Sequence, residues 1–499
     1  MTDEPGESVE ASQEESSAAA PGDPSSVPPR KEFVFRQTIE FLLLLGLGIL
    51  LLRTFAAEAY VVPTGSMAPT LLGFHKELTC PNCSFPFVIG TDEQGASGRP
   101  VCPNCGQDGL DKTAAVECNG DRLLVQKFLF DIRRPRRYEV VVFNSPVEPD
   151  QAYVKRVVGL PGEALQIIDG DIFINGRISR KTLAEQRAMR ILVFDNDYVP
   201  ADVARYPRWR FRGDRFRRTV ASGWKAVGTR FVHESSKTSN QQEDWLEYLH
   251  FDPDRGRHGP IRDFCPYNGS DVKTDNVVND LMIETEVSVR PDVKSLSIRI
   301  DHGTDHFVIT LPVDGRGAVD VRRNGLVEEV FNIQAGLRSS PASSPQFTRV
   351  EASVIDHRVC VALDGIPVFD PIDYEKSVGS SFGAQSSPLA LGVLGGSMEV
   401  RKFRVFRDIY YTGNQGMGPR RPFGVETPYS LKANEYFVLG DNSPISNDSR
   451  FWEKSPVVRG DCFLGKPFLV HLPGQVCPLQ VFGRPLGWIP DPREIRYIR

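Results

Sequence analysis

The chain has no large surplus of basic residues. Its 499 residues include 59 Lys and Arg against 64 Asp and Glu, which gives a net charge of −5. Because a nucleic-acid partner requires basic groups that neutralise its phosphates, this balance argues against such a partner. Aromatic residues are absent from the first 30 positions, which are rich in Glu, Ser, Ala and Pro. Such a segment cannot bury enough apolar surface to offset its ordering entropy, so residues 1–32 are predicted to form a disordered cytoplasmic tail.

Long apolar runs are also scarce, and the one that stands out is Phe41–Leu52, with no polar side chain. As a helix it would be about 18 Å long, short of the ~30 Å hydrocarbon core. Extension past Arg53, whose charged end can reach the headgroups, brings 38–57 near the lower limit for a transmembrane anchor. Basic residues precede the run, which predicts a single-pass protein of the cell (inner) membrane with a cytoplasmic N-terminus and the rest of the chain on the outer face. The alternative is a cleaved secretory signal, since 57–59 reads Ala-Glu-Ala.

Histidine is scarce as well, and none of the eight lies in a patterned context near the candidate nucleophile, Ser66. That serine lies in the sequence Pro-Thr-Gly-Ser-Met-Ala-Pro, and a serine hydroxyl needs an adjacent base to react at neutral pH. The better candidate base is Lys155, in Tyr-Val-Lys-Arg-Val-Val-Gly-Leu-Pro-Gly-Glu. Burial in an apolar strand disfavours the ammonium form of a lysine, and the neutral amine can then accept the proton of the serine.

Taken together, the sequences around Ser66 and Lys155 resemble those of the bacterial type I signal peptidases, the membrane-bound Ser–Lys enzymes of the S26 peptidase family. A third block, Gly440–Arg450, resembles the family pattern Gly-Asp-Asn-x-x-x-Ser-x-Asp-Ser-Arg. Gly-Asp-Arg at 120–122 with the strand at 140–143 matches the remaining block. Three long blocks in the same order behind an apolar run form a much more specific signal than one short motif.

The resemblance implies a role for each matched residue. Ser66 would be the nucleophile, Lys155 the general base, and Ser446 the group that orients the lysine amine. The hydroxyl of Thr64 and the backbone N–H of Ser66 would form the oxyanion hole. The resemblance also implies that five further residues support the fold around the site: Arg156, Asp441, Asn442, Asp448 and Arg450, with Asp448 and Arg450 as an ion pair.

Four of the nine cysteines form two Cys-Pro-Asn-Cys pairs, Cys80 with Cys83 and Cys102 with Cys105. Four thiolates at this spacing suit tetrahedral Zn²⁺, and the pattern resembles a zinc ribbon with a structural metal ion. Two disulfides in an oxidising exterior are the alternative, although a C-x2-C disulfide closes a short, strained loop. No cofactor is expected for catalysis. The other cysteines follow no interpretable spacing: Cys118, Cys265, Cys360, Cys462 and Cys477.

Short runs that alternate apolar and polar residues, separated by Gly, Pro and Asn turns, predict a mainly β protein. Between 186 and 405 this pattern favours a β-sandwich, and its last two runs, 389–393 and 400–406, resemble a concanavalin-A-like jelly roll. The predicted organisation is a tail (1–32), an anchor (38–57), a signal-peptidase-type β catalytic core (58–72, 120–185 and 406–470), a zinc-ribbon insertion (73–119), a β-sandwich insertion (186–405) and a C-terminal tail (471–499).

The predicted function is that of a membrane-bound serine endopeptidase that removes signal peptides from exported preproteins and cuts after Ala-x-Ala-type junctions. Its partners would be those signal peptides and the bilayer, and a ligand of the sandwich insertion stays open. A self-cleaving repressor-type Ser–Lys peptidase is an alternative, but such proteins are soluble. A further alternative is a non-catalytic, membrane-tethered binding protein with a relic core. The presence of Ser66, Lys155, Thr64 and Ser446 argues against it.

Overall fold

Antiparallel strands dominate the computed structural model of the protein, which confirms the predicted mainly β class. The structure describes residues 31–51, 57–91, 99–113, 115–201, 207–212, 222–234, 242–270, 272, 275–315, 317–331, 336–375, 387–413, 422–453, 455–481 and 484–498. The predicted tail, apart from its last two residues, lies outside the described residues. Residues 52–56, near the end of the predicted anchor, also lie outside them.

Residues 38–51 of the predicted anchor belong to one α-helix, Lys31–Leu51, whereas Ala57, its last residue, begins a strand. Among the residues that the structure describes, no helix is both long and apolar enough to cross a membrane. The anchor at 38–57 therefore stays a prediction.

An antiparallel sheet of eight strands contains the three segments predicted to form the catalytic core. Its central strand Val140–Asn144 places Val140 and Val142 in one hydrophobic core and Val141 and Phe143 in another, on the opposite face. A strand buried on both faces has a continuous apolar sequence, as this one does. The order of the strands in the sheet is Ala57–Val61, Arg122–Gln126, Phe463–Leu472, Val140–Asn144, Ala152–Gly159, Glu435–Leu439 and Val458–Arg459, with Arg496–Tyr497 beside Phe463–Leu472.

A second, four-stranded sheet joins segment 120–185 to segment 406–470. Its strands are, in order, Arg177–Ile178, Asp171–Ile174, Ala164–Ile168 and Tyr429–Ser430. Two short α-helices flank this region, Leu129–Ile132 and Leu183–Met189, and a capping box of Thr182 and Glu185 starts the second. Short 3₁₀ turns lie at Gly65–Met67, Gly460–Cys462 and Pro492–Glu494.

The segment predicted as a zinc ribbon, 73–119, folds around a three-stranded antiparallel sheet. The strand His75–Thr79 lies between Pro86–Gly90 and Val116–Cys118. Alternate residues of the central strand face opposite sides, so that Leu78 packs beside the four cysteines while His75 and Glu77 face away from them.

Segment 186–405 forms two antiparallel sheets that share one hydrophobic core, the arrangement of a β-sandwich. Nine strands form the first sheet: Trp224–Val227, Arg230–His233, Met398–Arg407, Leu281–Val289, Thr348–Ile355, Arg358–Leu363 and Ile366–Pro367, with Ile191–Asp195 and Ile372–Asp373 alongside. Seven strands form the second: Trp209–Arg212, Glu243–Tyr248, Leu389–Gly395, Val293–His302, Asp305–Pro312, Val319–Arg323 and Leu326–Phe331. A connection between the sheets carries the pair Phe251–Asp252 and Arg257–His258 and the 3₁₀ turn Pro266–Asn268.

The C-terminal segment 471–499 is not the tail that the sequence predicts. Val476–Val481 and Arg484–Pro490 form an antiparallel pair, and Arg496–Tyr497 joins the core sheet. The guanidinium of Arg496 donates to Asp121 Oδ2 at 2.7 Å, which connects this segment to the Gly-Asp-Arg block at 120–122. Frequent Pro and Gly residues interrupt the alternation of this segment, and for that reason the pattern does not reveal its strands.

Candidate active site

Ser66 lies on a single 3₁₀ turn, Gly65–Met67, which we call the serine turn. It follows the edge strand Ala57–Val61, and Thr64 precedes it in an extended conformation. All three residues of the turn are buried, and Ser66 itself is 4% exposed. The turn thus holds the hydroxyl of Ser66 inside the protein, next to the core sheet.

Lys155 lies on the strand Ala152–Gly159, which we call the lysine strand. Lys155 is opposite Val141 in the neighbouring strand, and it is 4% exposed. Its Nζ lies 2.5 Å from Ser66 Oγ, although 89 residues separate the two in the chain. The structure therefore brings together the two residues that sequence reasoning selects as nucleophile and base.

The surroundings of Lys155 favour its neutral form. Burial lowers the pKa of Lys155 to about 8, an effect that Asp448 and Asp441 oppose and Arg450 reinforces. No carboxylate forms a salt bridge with this amine in the described part of the chain. About a tenth of the amine is consequently unprotonated at pH 7 and able to accept a proton, a much larger fraction than for an ordinary lysine.

Each of the two nearby carboxylates is bound to an arginine instead. Asp448 forms a bidentate pair with Arg450, with distances of 2.9 and 2.7 Å, and both side chains are fully buried. Asp441 forms a second bidentate pair with Arg156, at 2.8 and 2.5 Å. These two pairs, which the resemblance implies as supports of the fold, also neutralise the negative charge that would otherwise hold Lys155 protonated.

Thr64 and Ser446 both lie beside the serine turn. The hydroxyl of Thr64 lies 3.4 Å from Ser66 Oγ, a distance at the limit of a hydrogen bond. Ser446 is fully buried, and its backbone N–H donates to the carbonyl of Asn442 at 3.0 Å. A Cβ at Gly440 would overlap both Ser446 Oγ and the carbonyl oxygen of Ser66, so this close approach requires glycine. The roles of Thr64 as oxyanion donor and of Ser446 as orienting group stay predictions.

Asn442 connects the third sequence block directly to the serine turn. Its backbone N–H donates to the carbonyl of Ser66 at 3.1 Å, and its side-chain amide donates to the carbonyl of Gly65 at 3.0 Å. Two hydrogen bonds on consecutive carbonyls restrain the orientation of the turn. Asn442 therefore holds the backbone of the nucleophile rather than only supporting the fold.

Two residues of the sandwich insertion, Tyr267 and Asn268, also reach the serine turn, and sequence reasoning missed both. Asn268 exchanges two amide hydrogen bonds with Asn442, at 2.8 and 2.7 Å. Tyr267 is buried, donates to the carbonyl of Phe74 at 2.9 Å, and packs so closely that a Cβ at Gly65 would overlap its ring. The only sequence signal is the turn-like Cys-Pro-Tyr-Asn-Gly, which does not reveal a partner 174 positions away.

Two strand edges border the site. Ala57–Val61 ends the core sheet, and within the described part of the chain its one strand partner is Arg122–Gln126. On the lysine strand, Glu435–Leu439 pairs with Arg156, Val157 and Gly159, and among the described residues no strand continues this pairing along Ala152–Lys155. Both edges carry backbone groups that are available to an extended peptide.

The four cysteines of the predicted ribbon converge in the structure. The sulfur atoms of Cys80 and Cys105 lie 3.5 Å apart and those of Cys83 and Cys102 lie 3.6 Å apart, and all four thiols are buried. A disulfide requires ~2.05 Å, whereas two thiolates on one tetrahedral Zn²⁺ lie roughly 3.8 Å apart for a Zn–S distance of ~2.3 Å. The four thiols therefore form a site that could hold a structural metal ion, and all nine cysteines, each within the described residues, are free thiols.

A buried serine hydroxyl in contact with a buried lysine amine is the arrangement of a Ser–Lys hydrolase site. Comparison with known proteins shows similarity to peptidases over part of the chain. A family model described as "Signal peptidase, peptidase S26" matches residues 112–227, a range that contains Lys155 but not Ser66 or the block Gly440–Arg450.

Among similar proteins of known name, signal peptidase I of Leptolyngbya laminosa is 29% identical over 168 residues, which cover 32% of this chain and 58% of that protein. Signal peptidase I of Rickettsia akari is 42% identical over 133 residues, covering 27% of this chain and 40% of that protein. The chain thus spans about half, or less, of the length of these relatives. The matches show that part of this chain is similar to type I signal peptidases.

Solved structures similar to this chain include the carbohydrate binding module CBM66 from Bacillus subtilis, 11% identical, with a TM-score of 0.23 over 40% of this chain and 94% of that chain. The Emp46p carbohydrate recognition domain is 14% identical, with a TM-score of 0.24 over 42% of this chain and 92% of that chain. Likenesses this weak carry no argument about the insertion.

Proposed function

We propose that the protein is a membrane-bound serine endopeptidase that removes signal peptides from exported preproteins by means of a Ser66–Lys155 dyad. The observation that carries this proposal is the 2.5 Å contact between the Lys155 amine and the Ser66 hydroxyl, both buried, with the pKa of the amine lowered to about 8 by burial. The similarity of residues 112–227, a range that includes Lys155, to the signal peptidase family model supports the choice of reaction.

In the proposed reaction the neutral amine of Lys155 accepts the proton of Ser66 Oγ as the oxygen attacks the scissile carbonyl. The oxyanion that develops would accept hydrogen bonds from the backbone N–H of Ser66 and the hydroxyl of Thr64. The ammonium of Lys155 then returns the proton to the leaving amine, which leaves an acyl-enzyme at Ser66. Water, deprotonated by the same amine, attacks the ester, and the ammonium then returns this proton to Ser66 Oγ as the acyl group leaves. Ser446 would orient the amine through both steps.

The substrate would bind as an extended strand. The open edges at Ala57–Val61 and Ala152–Lys155 offer backbone hydrogen bonds to such a peptide, and strand addition leaves alternate side chains in pockets. Small pockets at the first and third positions before the cut would select Ala-x-Ala. An anchor at 38–57 would hold the site on the outer face of the cell membrane, at the height where cleavage junctions emerge.

The ribbon cysteines would hold one structural Zn²⁺, because four thiolates complete its coordination and leave no position for a substrate. Cys80, Cys83, Cys102 and Cys105 are its proposed ligands. The metal ion would stabilise the fold of the ribbon and take no part in the cleavage.

Cleavage of a preprotein with an Ala-x-Ala junction by the full, detergent-solubilised chain tests the proposal. The wild type is compared with Ser66→Ala and Lys155→Ala, and Ser430→Ala, an exposed serine on a core strand, is the matched control. We expect cleavage at the junction by the wild type and the control only. Cleavage by both dyad variants would refute the mechanism. A folded wild type that is inert on several preproteins would favour the membrane-tethered binding protein instead.

A further inference from the structure

A second cluster of metal-ligand side chains lies on the ribbon, apart from the four cysteines. His75 and Glu77 are two positions apart on the strand His75–Thr79, and Cys118 is paired opposite His75 in the neighbouring strand. All three side chains therefore share one face of the sheet. One ligand atom from each of the three lies within 4.8 Å of the others.

The imidazole of His75 has one ring nitrogen available to bind a metal ion. It is fully buried, and its Nδ1 lies 2.7 Å from the carbonyl oxygen of Gly73. Because a carbonyl only accepts, Nδ1 carries the hydrogen in this contact and Nε2 presents a lone pair. Among the described residues Nε2 has no hydrogen-bond partner. Histidine ligands of metal ions show this same pattern, with the second nitrogen donating to a carbonyl.

Glu77 and Cys118 supply the other two donors. The backbone N–H of Val476 donates to Glu77 Oε1 at 2.8 Å, which orients the carboxylate. Cys118 is buried, and its thiol makes a long contact of 3.6 Å with the carbonyl of Val116. A donor set of nitrogen, oxygen and sulfur suits Zn²⁺, whereas Mg²⁺ and Ca²⁺ prefer oxygen alone.

The cluster lies between the ribbon and the C-terminal segment. The face that carries His75 and Glu77 is opposite to the face that packs on the four cysteines, because Leu78 belongs to the latter. The face that carries His75 and Glu77 packs against the C-terminal segment. Val476 of that segment donates to Glu77, and a Cβ at Gly474 would overlap the His75 ring. A metal ion bound here would stabilise the packing of the ribbon against the C-terminal segment, 471–499.

We propose that His75, Glu77 and Cys118 form a second metal centre, which binds one divalent cation of the zinc type and leaves a coordination position for water. It is separate from the four-cysteine site and independent of the peptidase proposal.

The test is the zinc content of the full, solubilised chain, loaded with Zn²⁺ and desalted over a weak chelator. His75→Ala/Cys118→Ser should contain one zinc equivalent less than the wild type, and Cys80→Ser/Cys102→Ser should keep the equivalent bound at His75. The difference of one equivalent does not depend on whether the four-cysteine site is filled. Cys360→Ser, a buried cysteine of the sandwich, is the matched control and should retain the wild-type content.

A second measurement covers the case in which the double variant fails to fold. The Cys80→Ser/Cys102→Ser chain is titrated with Co²⁺, which should give a single-thiolate charge-transfer band that the additional change Cys118→Asp abolishes while one equivalent of metal stays bound. Zinc content unchanged by His75→Ala/Cys118→Ser, or no cobalt band attributable to Cys118, would overturn the proposal.

Discussion

Two lysines among the residues that the structure describes are almost completely buried, and the pKa values of their amines are shifted in opposite directions. Lys155 is 4% exposed and contacts a serine hydroxyl, and burial lowers its pKa to about 8. Lys181 is 3% exposed and lies 2.7 Å from Asp356 and 2.8 Å from Asp408. Burial alone would lower the pKa of Lys181 too, but these two carboxylates outweigh burial and raise the pKa well above its ordinary value.

The difference between the two sites lies in the carboxylates and not in the burial. Around Lys155, the carboxylates of Asp448 and Asp441 are each bound by an arginine, so neither forms an ion pair with the amine. Around Lys181, both acids are bound to the lysine itself. A buried lysine becomes a base only where other cations already neutralise its acidic neighbours. A test of this comparison is to remove each amine in turn.

The largest effect is expected from Lys155→Met. Loss of the base should reduce kcat/KM for preprotein cleavage by about 10³-fold or more. The same change removes a buried amine whose protonation is unfavourable, so the free energy of unfolding at pH 7 should not fall and should rise by up to about 3 kcal/mol. Steady-state cleavage and urea unfolding measure the two effects. Lys225→Met, an exposed lysine, is the control.

Activity of Lys155→Met within tenfold of the wild type would remove Lys155 from the mechanism. A loss of stability in this variant would instead show that the folded protein stabilises the ammonium form of Lys155. The two lysines would then not differ in the way that we propose.

Lys181→Met should lower the free energy of unfolding, whereas Lys155→Met should not. The change leaves Asp356 and Asp408 buried without their cation, and removal of one partner of a buried ion pair costs about 3–5 kcal/mol of stability. Urea unfolding at pH 7 measures the loss. Adding Asp408→Asn should restore part of it, because one uncompensated charge is then removed. If Lys181→Met is as stable as the wild type, the ion pairs do not hold the lysine charged.

The pH dependence of cleavage distinguishes the two amines without mutation. Only the neutral form of Lys155 accepts a proton, so kcat/KM should rise about tenfold per pH unit up to about 8 and level off above it. Lys181, with its raised pKa, stays charged throughout this range and adds no inflection. A profile that levels off below pH 6 or rises beyond pH 10 would contradict the lowered pKa of Lys155.

The sequence contained much of this site. Ser66, Lys155 and the block 440–450 each lie in a long block with a family pattern. The four cysteines are recognisable because a metal knuckle needs two thiols at short spacing. The mainly β class followed from alternation, since each half-buried strand shows a period of two. What these features share is that the signal is local, within a few residues of the group concerned.

What could not be predicted depends on contacts between distant parts of the chain. Asn268 looks like an ordinary turn residue, and its role depends on Asn442, 174 positions later. Cys118 follows no spacing, and only strand pairing places it opposite His75. The strands after 471 are interrupted by Pro and Gly, and the pairing of Arg496–Tyr497 with the core sheet is also set by packing and not by a local pattern. Each of these contacts is set by tertiary packing, which no local pattern reports.

The sandwich insertion contributes to both lysine sites, directly to Lys181 through Asp356 and indirectly to the serine turn through Asn268. Asn268→Ala tests the indirect contribution of the insertion to the serine turn. Of the changes considered, it should have the smallest effect on cleavage. It removes two neutral hydrogen bonds to Asn442, worth roughly 1 kcal/mol, so kcat should fall about fivefold with KM little changed. The pH at which the profile levels off should stay near 8, because Asn268 does not touch Lys155. Asn276→Ala, whose amide bonds Asp263 within the insertion, is the matched control and should leave kcat unchanged. Equal effects of the two changes would mean that Asn268 acts only through general stability, and that its hydrogen bonds to Asn442 do not help to hold the serine turn.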